Sequence, residues 1–286
     1  MAVSHSHSAS SGRTIVITGA GSGIGRALAL AYAEASARLF LIGRRLPELE
    51  QTATAARQQG ADVCVAQADV TDASHLDRLA RRCHAQWGPI SVLIANAGIS
   101  HGTLSSEPAD RAVFAQILAT NLVGVQYTVS AFLPYLAVGA RVAGVASVAG
   151  LRGLPGAGAY CASKAGLIVY LESLRLELRP RGIRVTCIAP GYIATPMTAE
   201  NAYPMPWLMP AEQAAARMRR AIDRGRPWLV VPWQMAWVGR LLRILPIPVF
   251  DFFFARVPVK ARCEAGESPG PKSFPHAGDS ELKSDS

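Results

Sequence analysis

Two side chains that can exchange protons lie one helical turn apart near the middle of the chain. Tyr160 and Lys164 form a YxxxK pattern, and residues four apart share one face of a helix. Ser147 precedes Tyr160 by thirteen residues, at the end of a predicted strand. A phenol, an ammonium and a hydroxyl at the carboxyl edge of a sheet could protonate the oxygen of a bound molecule, or deprotonate it. YxxxK alone also occurs on solvated helix surfaces, so its meaning depends on its surroundings.

A glycine-rich segment follows the first predicted strand. Residues 18–25 read TGAGSGIG, in which Gly19 permits a tight turn, Gly23 lets the backbone approach a pyrophosphate, and Gly25 allows close helix–strand packing. The helix that begins there directs free N–H groups and partial positive charge at phosphates. The segment therefore predicts a dinucleotide site, which also includes the intervening residues Ser22 and Ile24.

Short apolar runs alternate with longer helical patterns over most of the chain. The predicted strands are Arg13–Thr18, Arg38–Gly43, Asp62–Gln67, Ser91–Ala95, Ala140–Ser147, Ile183–Ala189 and Trp228–Val231. The predicted helices are Gly23–Ala35, Pro47–Gln59, Ala73–Gln86 and Ala159–Arg179, with long helical stretches near Arg111–Leu136. Strands such as TIVIT are apolar at nearly every position, which is typical of strands covered on both faces. The alternation predicts an α/β fold, with a single doubly wound, Rossmann-like parallel sheet and helices on both faces.

The glycine spacing gives TGxxxGxG, and the chain resembles the short-chain dehydrogenase/reductase family from this segment onwards. The helix around Tyr160 reads YCASKAGL, and Asn121 lies in ATNLVGV, which is similar to the family's catalytic asparagine segment. The resemblance implies a catalytic tetrad of Asn121, Ser147, Tyr160 and Lys164. In the family the tyrosine transfers the proton, and the lysine favours its phenolate and holds the nicotinamide ribose. The serine donates to the substrate oxygen, and the asparagine positions a water.

Two arginines indicate which dinucleotide is bound. Arg44 and Arg45 follow the second strand, where an NAD-preferring site carries an acidic side chain for the ribose 2′-hydroxyl. Two guanidiniums can instead pair with a 2′-phosphate, although a solvated pair at a helix start is the alternative. We therefore expect NADP(H) to be preferred and NAD(H) to remain possible, since Ser22 does not supply the second basic contact of some NADP-dependent relatives.

The resemblance implies further cofactor contacts after other strands. The family's acidic residue beside the adenine ring is matched by Asp69, which is followed by Val70, although Asp69 could equally cap the next helix. The motif ANAG resembles a wall of the adenosine pocket, and PGYIATPM resembles the segment that holds the nicotinamide carboxamide. The matching residues of these two motifs are Asn96, Ala97, Gly98, Pro190, Gly191, Ile193 and Thr195.

Composition narrows the functional classes. The formal net charge is +9, but the arginines are scattered rather than gathered in one stripe, so we expect no nucleic-acid binding. The charge suits phosphorylated cofactors or an anionic membrane surface. The five cysteines are far apart and show no metal-ligand spacing, so we predict no metal and a cytoplasmic protein with reduced thiols. Residues 1–12 form a polar arm without the apolar stretch of a secretory signal.

The region after the matched motifs is less similar to the family. We predict a catalytic domain over residues 13–232, a hydrophobic helical extension over 233–260, and a disordered tail over 261–286. In relatives, the segment near Met197–Met209 forms the substrate lid. Here it suggests an apolar pocket wall, and its bulky residues are Tyr203, Pro204, Pro206, Trp207 and Leu208.

The extension is apolar but is interrupted by arginines and prolines, among them Arg240 and Pro246, so it cannot cross a bilayer as one helix. Residues 233–257 could lie in a membrane interface, which would place the protein at the inner face of a membrane. Alternatively, they could pack on the core or on a second copy of the chain.

Together these features predict an oxidoreductase that interconverts a ketone and a secondary alcohol. We expect it to work in the reductive direction on an apolar or lipid-like substrate of the 3-oxoacyl type. Relatives commonly form dimers or tetramers through the helices around Asn121 and Tyr160. Three alternatives stay open: a reductase of envelope or capsule sugar precursors, a non-catalytic NADP(H)-binding regulator, and a membrane-peripheral scaffold.

Overall fold

The computed structural model describes residues 12–199, 201 and 204–255. The expected N-terminal arm up to residue 11, the C-terminal tail, the end of the extension from residue 256, Tyr203 and Cys263 lie outside the described residues. The strands are β1 (Thr14–Thr18), β2 (Arg38–Gly43), β3 (Asp62–Gln67), β4 (Ile90–Ala95), β5 (Leu136–Val145), β6 (Arg184–Pro190), β7 (Ile193–Ala194), β8 (Met209–Pro210) and β9 (Trp228–Val231).

The α-helices alternate with these strands and then follow them. They are α1 (Gly23–Tyr32), α2 (Leu46–Gln58), α3 (Ala73–Trp87), α4 (Asp110–Leu118), α5 (Gly124–Phe132), α6 (Gly158–Glu177), α7 (Pro196–Ala199), α8 (Ala211–Asp223), α9 (Gln234–Ile244) and α10 (Ile247–Phe254). A π-helical turn, Ala119–Val123, joins α4 to α5. Short 3₁₀ turns cover Leu133–Tyr135, Val148–Gly150 and Arg179–Arg181.

Seven strands form one parallel sheet in the order β3-β2-β1-β4-β5-β6-β9. Alternate residues of each strand face opposite layers: Val16 packs with one buried cluster, whereas Ile15 and Ile17 pack with the other. One cluster includes residues of α3, α5 and α6, and the other includes residues of α1, α2 and α8. The doubly wound fold predicted from the sequence is confirmed.

The sheet changes direction at its centre, and this fixes where a ligand can bind. The chain winds from β1 outward to β3, then returns to β4 on the other side of β1 and winds outward to β9. Loops after β1 and β4 therefore diverge to opposite faces and leave a crevice at their carboxyl ends.

Several predicted element boundaries differ from the structure; α1, for example, ends at Tyr32 rather than Ala35. The helical stretches expected near Arg111–Leu136 are present as α4 and α5 with the π turn between them, but Leu136 already begins β5. The expected strand Ala140–Ser147 ends at Val145, because Ser147 starts a 3₁₀ turn in which its hydroxyl accepts a hydrogen bond from the Ala149 N–H at 3.1 Å. Ser147 thus lies just beyond the strand.

One helical run meets the length and hydropathy of a membrane span. It covers Asp110–Tyr135, 26 residues that include the π turn. The run packs on the sheet through buried side chains of α5, such as Val125 and Phe132, and contacts α3 and α6. The run is therefore a core helical segment of this fold, and its apolar side chains are explained by packing on the sheet.

The C-terminal extension consists of α9 and α10, which follow the edge strand β9. Its inner face is buried through Met235, Gly239 and Phe250. Its outer face is exposed, with Trp237 exposed by 62% and Ile244 by 77%. Packing on the core, one of the two alternatives for this segment, therefore applies to its inner face only.

Candidate active site

A cleft of about 250 Å³ lies at the carboxyl edge of the sheet, at the crevice between β1 and β4. Segments that follow β1, β2, β3, β4, β5 and β6 line it, together with the start of α6. Residues that are far apart in sequence therefore converge there because parallel strands end at one edge.

The glycine loop after β1 is shaped for close approach. Gly19 and Gly23 have positive φ angles of 66° and 53°, which L side chains rarely adopt. A Cβ on Gly25 would lie 2.1 Å from the carbonyl oxygen of Gly19, so this position has room for glycine only. A Cβ on Gly23 would lie 3.2 Å from the Thr195 side chain, which faces the loop from across the cleft. The loop thus brings bare backbone and the N-terminus of α1 to the cleft.

Asn96 holds this loop against β4. Its Nδ2 donates to the carbonyl oxygens of Thr18, at 3.0 Å, and Gly19, at 3.2 Å. The Thr18 hydroxyl in turn accepts from the backbone N–H groups of Asn96 and Ala97. These four hydrogen bonds satisfy backbone groups at both strand ends and fix the width of the crevice.

Arg44 and Arg45 both line the cleft after β2. Nη2 of Arg45 donates to the Ser22 hydroxyl at 3.1 Å, and Nη1 of Arg45 lies 2.9 Å from Glu48 Oε1. Nη1 of Arg44 lies 3.9 Å from Asp69 Oδ2. One guanidinium is thus fixed against the glycine loop, and the other pairs loosely with a carboxylate that also lines the cleft.

The acidic residue after β3 does not cap a helix. Asp69 Oδ1 accepts from the backbone N–H and hydroxyl of Thr71, whereas Asp72 caps α3 by accepting from the His75 N–H. Of the two readings left open by the sequence, helix capping is therefore wrong for Asp69. Its carboxylate lies at the rim of the cleft with Val70.

Lys164 is buried one turn after Tyr160 on α6. Its Nζ donates to the carbonyl oxygen of Val145 at 2.8 Å and lies 5.7 Å from the centroid of the Tyr160 ring. Only 4% of Lys164 is exposed. Burial lowers the pKa of its ammonium from 10.5 to about 8, because the charged form loses hydration.

Asn121 lies in the π turn behind the cleft and is fully buried. Its Oδ1 accepts from the Ile99 N–H at 2.8 Å, and its Nδ2 donates to the Ile99 carbonyl oxygen at 2.9 Å and to the Ser163 hydroxyl at 3.1 Å. The side chain therefore links the segment after β4 to α6. A π turn also shifts the helical hydrogen-bond register at this point, as occurs frequently at functional sites.

Ser147 and the segment after β6 form the remaining wall. Ser147 Oγ lies 3.5 Å from the Pro190 carbonyl oxygen, within reach of a long hydrogen bond. The Thr198 hydroxyl donates to the Ile193 carbonyl oxygen at 2.6 Å and accepts from the Thr195 N–H at 3.0 Å. These bonds fold residues 193–198 across the cleft opposite the glycine loop.

The structure brings nearly all of the predicted site residues to this cleft. Gly25 and Asn121 lie behind it, where Gly25 supports the glycine loop and Asn121 supports Ile99. The sequence reasoning missed lining residues that lie within its motifs or directly beside its site residues: Gly21, Ile99, Thr120, Ala146, Pro196, Met197 and Thr198. Several more lining residues had no motif signal: Gly43, Leu49, Ala68 and Val145. Within the described ranges, no three His, Cys, Asp or Glu side chains converge as metal ligands.

The cleft fits a dinucleotide. A phosphate group can approach Gly19 and Gly23 because no Cβ blocks the backbone, and the N-terminus of α1 favours negative charge. Arg44 and Arg45 add positive charge after β2, whereas Ser147, Tyr160 and Lys164 line the cleft after β5 and on α6, on the far side of β1 and β4 in the sheet order. The arrangement therefore has a phosphate-binding end and an end equipped for proton transfer.

Comparison with known proteins places these features in a family. A model described as short chain dehydrogenase matches residues 13–205. A protein of Myxococcus xanthus (strain DK1622), named an uncharacterized oxidoreductase, is 42% identical over 216 residues, which are 75% of this chain and 85% of that protein. A putative ketoacyl reductase of Streptomyces coelicolor is 31% identical over 195 residues, or 66% of this chain and 74% of that protein.

Solved structures share the architecture. The crystal structure of a short chain dehydrogenase/reductase from Burkholderia phymatum, in complex with NAD, superposes with a TM-score of 0.73 at 25% identity. The similarity covers 88% of this chain and 98% of that chain.

Proposed function

The chain belongs to the short-chain dehydrogenase/reductase family, whose members are oxidoreductases acting on CH–OH and C=O groups, and we propose that it reduces an apolar, 3-oxoacyl-type ketone with NADPH. The observation that carries the proposal is the convergence of Ser147, Tyr160 and Lys164 at one end of a cleft whose other end suits phosphates. When bound, the nicotinamide cofactor supplies the hydride that reduces the carbonyl carbon.

Tyr160 is the proposed proton donor to the carbonyl oxygen. A phenol at neutral pH holds its proton, so it can release it to an oxygen on which negative charge develops. The Lys164 ammonium stabilises the phenolate that remains, since an opposite charge nearby favours the ionised form. The carbonyl of Val145 orients that ammonium from the side of the sheet. In the oxidative direction the same groups work in reverse.

Ser147 is proposed to donate a hydrogen bond to the substrate oxygen. Its hydroxyl oxygen already accepts from the Ala149 N–H, which directs the hydroxyl hydrogen elsewhere, and its long contact with Pro190 leaves that hydrogen weakly held. A donor fixed in this way stabilises negative charge as it forms. Asn121 is proposed to position the water of the proton relay from the π turn, while its side chain holds Ile99 and Ser163.

NADP(H) preference is proposed from the charges beside the cleft after β2, and NAD(H) remains an accepted cofactor. Arg45 is held against Ser22 of the glycine loop, and Arg44 pairs with Asp69 only at 3.9 Å, so its guanidinium can turn to a phosphate at little cost. The related Burkholderia phymatum structure holds NAD, but the choice depends on these two local side chains rather than on the shared fold.

The substrate class is proposed from apolar surface around the reactive end. Ile99 and Met197 line the cleft, and Trp207 and Leu208 are exposed in the segment between α7 and β8. The relative named as a putative ketoacyl reductase supports a 3-oxoacyl substrate, whose chain such side chains can cover. An envelope sugar precursor would require polar groups in this region instead.

We also propose that the protein is a homodimer or homotetramer. Apolar side chains are exposed on the two helical runs that carry Asn121 and Tyr160: Phe114, Val123, Val169 and Leu176. A second copy of the chain would cover them. Light scattering should give a dimer or tetramer mass, and Val169→Glu should lower it.

The decisive experiment measures NADPH oxidation over 3-oxoacyl thioesters of graded chain length, with polyols and sugar-nucleotide ketones as the comparison panel. We expect kcat/KM to rise with chain length and to be lowest for sugars. Tyr160→Phe should retain NADPH binding, measured by fluorescence, and lose at least about 10²-fold in kcat, which is the usual contribution of a positioned proton donor.

Two results would contradict the proposal. Turnover confined to polyols or sugars would replace it with the sugar-precursor alternative. Tight NADPH binding without oxidation on any carbonyl would indicate a cofactor-binding regulator.

A further inference from the structure

We propose that the outer face of α9 and α10, together with a neighbouring groove of arginines, forms one surface that docks on an anionic phospholipid bilayer without crossing it. We call it the docking surface. Its apolar part comprises Trp233, Trp237, Leu241, Ile244, Ile247, Phe252 and Phe253, and its basic part comprises Arg217, Arg220, Arg224 and Arg226.

The apolar part is continuous along α9. Trp233, Trp237 and Leu241 recur every four residues, and Ile244 follows after three more, so they lie on one face of the helix. The two tryptophans are each 62% exposed and Ile244 is 77% exposed. Phe252, in α10, is also 77% exposed. Contiguous exposed aromatic and aliphatic side chains of this size mark an interaction surface.

The extension is attached to the catalytic domain through its inner face. Nη1 of Arg152 donates to the carbonyl oxygens of Leu242, at 3.0 Å, and Leu245, at 3.1 Å, at the C-terminal end of α9. The Arg152 guanidinium also stacks on Phe250 of α10, with 4.4 Å between its carbon and the ring centroid. The catalytic domain therefore covers the inner face of the two helices, whereas the outer face stays exposed among the described residues.

The dimensions favour a surface position over a crossing one. α9 has 11 residues and α10 has 8, which correspond to about 16 Å and 12 Å of helix. The hydrocarbon core of a bilayer is about 30 Å thick. The chain between the helices is extended at Leu245 and Pro246, so they do not form one continuous rod.

The arginine groove supplies the charge. Its walls are α8 and β9, and Trp233 lines it as well, so the groove adjoins the apolar stripe. Among the described residues, none of the four guanidiniums has a carboxylate within 4.0 Å. Four unpaired like charges repel one another unless anions lie among them, and phosphodiester groups are such anions.

Charge also argues against a second copy as the occupant. A symmetric pairing through this surface would bring the arginine grooves together, while residues 233–255 contain a single carboxylate, Asp251. Arg240, whose guanidinium lies 5.4 Å from the Trp237 ring centroid, adds a further cation to the stripe. Arginine beside exposed tryptophan suits the boundary between headgroups and acyl chains.

Docking would bring the bilayer close to the reactive end of the cleft. A Cβ on Gly239 would lie 2.4 Å from Leu151 Cδ1, and a Cβ on Gly191 would lie 2.5 Å from Met235 Cγ, so α9 packs directly on the segments after Ser147 and Pro190. An apolar substrate could therefore pass between the bilayer and the cleft over a short distance.

The test is co-sedimentation of the full-length protein with vesicles of phosphatidylcholine alone or with phosphatidylglycerol added. We expect binding to the anionic vesicles only. Arg220→Glu with Arg224→Glu should lower the partition coefficient by about thirtyfold or more. Each arginine near an anionic membrane surface raises that coefficient about fivefold, so two lost arginines account for most of the change. Trp237→Glu with Leu241→Glu should abolish binding, and brominated acyl chains should quench tryptophan fluorescence in the wild type only.

Two controls carry the same kinds of change outside the docking surface. Val138→Glu adds an acid at an apolar side chain that is 95% exposed and lies outside the docking surface. Arg78→Glu with Arg81→Glu reverses two exposed arginines of α3, the same number as in the test variant. Both controls should bind vesicles like the wild type. Thermal unfolding of every variant excludes misfolding as the cause.

Three results would overturn the proposal: equal binding to neutral and anionic vesicles, no binding to either, or a lower molecular mass of the Trp237→Glu, Leu241→Glu variant in light scattering. The last result would identify the stripe as a contact between copies. Because vesicle binding is measured without turnover, its outcome is independent of whether the proposed ketone reduction is correct.

Discussion

The ammonium of Lys164 donates to the carbonyl oxygen of Val145, the last residue of β5, at 2.8 Å. This bond joins α6 to the centre of the sheet and holds the lysine one turn from Tyr160. It also leaves a charged group almost entirely buried, and the cost of that burial makes the stability of the protein depend on pH.

Stability should increase with pH over a defined window because of Lys164. Burial lowers its folded-state pKa to about 8, whereas the unfolded chain keeps 10.5. Between these values the unfolded state holds a proton that the folded state has released, so the free energy of unfolding contributed by this group rises. The whole change amounts to about 3 kcal/mol, from the difference between the two pKa values.

Lys164→Met is the matched variant, because methionine keeps the length without the charge. The free energy of unfolding of the cofactor-free wild type minus that of the variant should rise from pH 8 to pH 10.5 in urea titrations. Groups that do not interact with Lys164, such as Cys83 with a pKa raised to about 12 by burial, titrate in both proteins and cancel in the difference. A difference that stays flat with pH would rule out a buried ammonium.

Asn121 should be important for stability as well as for turnover. Its amide pairs with both backbone groups of Ile99, so Asn121→Ala leaves a buried N–H and a buried C=O without partners. We expect a loss of about 2–4 kcal/mol in the free energy of unfolding. Ser163→Ala removes only the third bond and should cost about 1 kcal/mol. Equal losses for the two variants in urea unfolding would contradict this assignment.

Cofactor selectivity should depend on the two arginines after β2. Arg45→Ala removes the guanidinium held at Ser22, and each lost charged contact with a 2′-phosphate should reduce kcat/KM for NADPH by about 10- to 100-fold. Activity with NADH should change little, so the ratio of the two kcat/KM values is the readout. Arg57→Ala, which affects an arginine of α2 paired with Glu50, serves as the control. An unchanged ratio in Arg44→Ala, Arg45→Ala would refute the proposed preference.

The sheet and the phosphate end of the cleft could be predicted from the sequence because their signals are local. The strand, the glycine-rich segment and the following helix are consecutive in the sequence. A side chain at Gly19 or Gly25 would clash with neighbouring atoms, and the glycine spacing alone indicates this requirement. The same holds for Tyr160 and Lys164, whose spacing places them on one helix face.

Features that depend on distant partners could not be predicted. Nothing near Lys164 in the sequence indicates the Val145 carbonyl, and nothing near Arg152 indicates the helix end that it meets about ninety residues later. The π turn at Asn121 also has no local signature, since Ala119–Val123 has an ordinary helical composition. The exposure of one face of α9 likewise depends on how the helix sits on the domain.

Gly25 should be intolerant of any side chain. A Cβ there would lie 2.1 Å from the Gly19 carbonyl oxygen and 2.5 Å from Asn96 Nδ2, so Gly25→Ala must move the glycine loop or α1. We expect a loss of about 1–3 kcal/mol in the free energy of unfolding and at least a tenfold weaker NADPH binding. Gly158→Ala is the control, because no atom lies within 4 Å of its Cβ position, and alanine at that helix start should stabilise the protein slightly. Similar effects of both changes would show that the glycine loop is not tightly packed.

Arg152 should determine whether the C-terminal helices stay on the domain. Arg152→Met removes the donors to the last carbonyls of α9 and the cation stacked on Phe250. The contact energies amount to about 1–3 kcal/mol, so the extension should open locally while the sheet stays folded. Hydrogen exchange should accelerate about 10-fold or more in residues 234–254 and remain unchanged in β1 and β4. Arg240→Met removes an exposed arginine of the same helix, which stacks only on Trp237, and should leave exchange in α9 and α10 near the wild-type rate. Unchanged exchange in Arg152→Met would mean that Leu151, Met235 and Gly239 hold the helices without it.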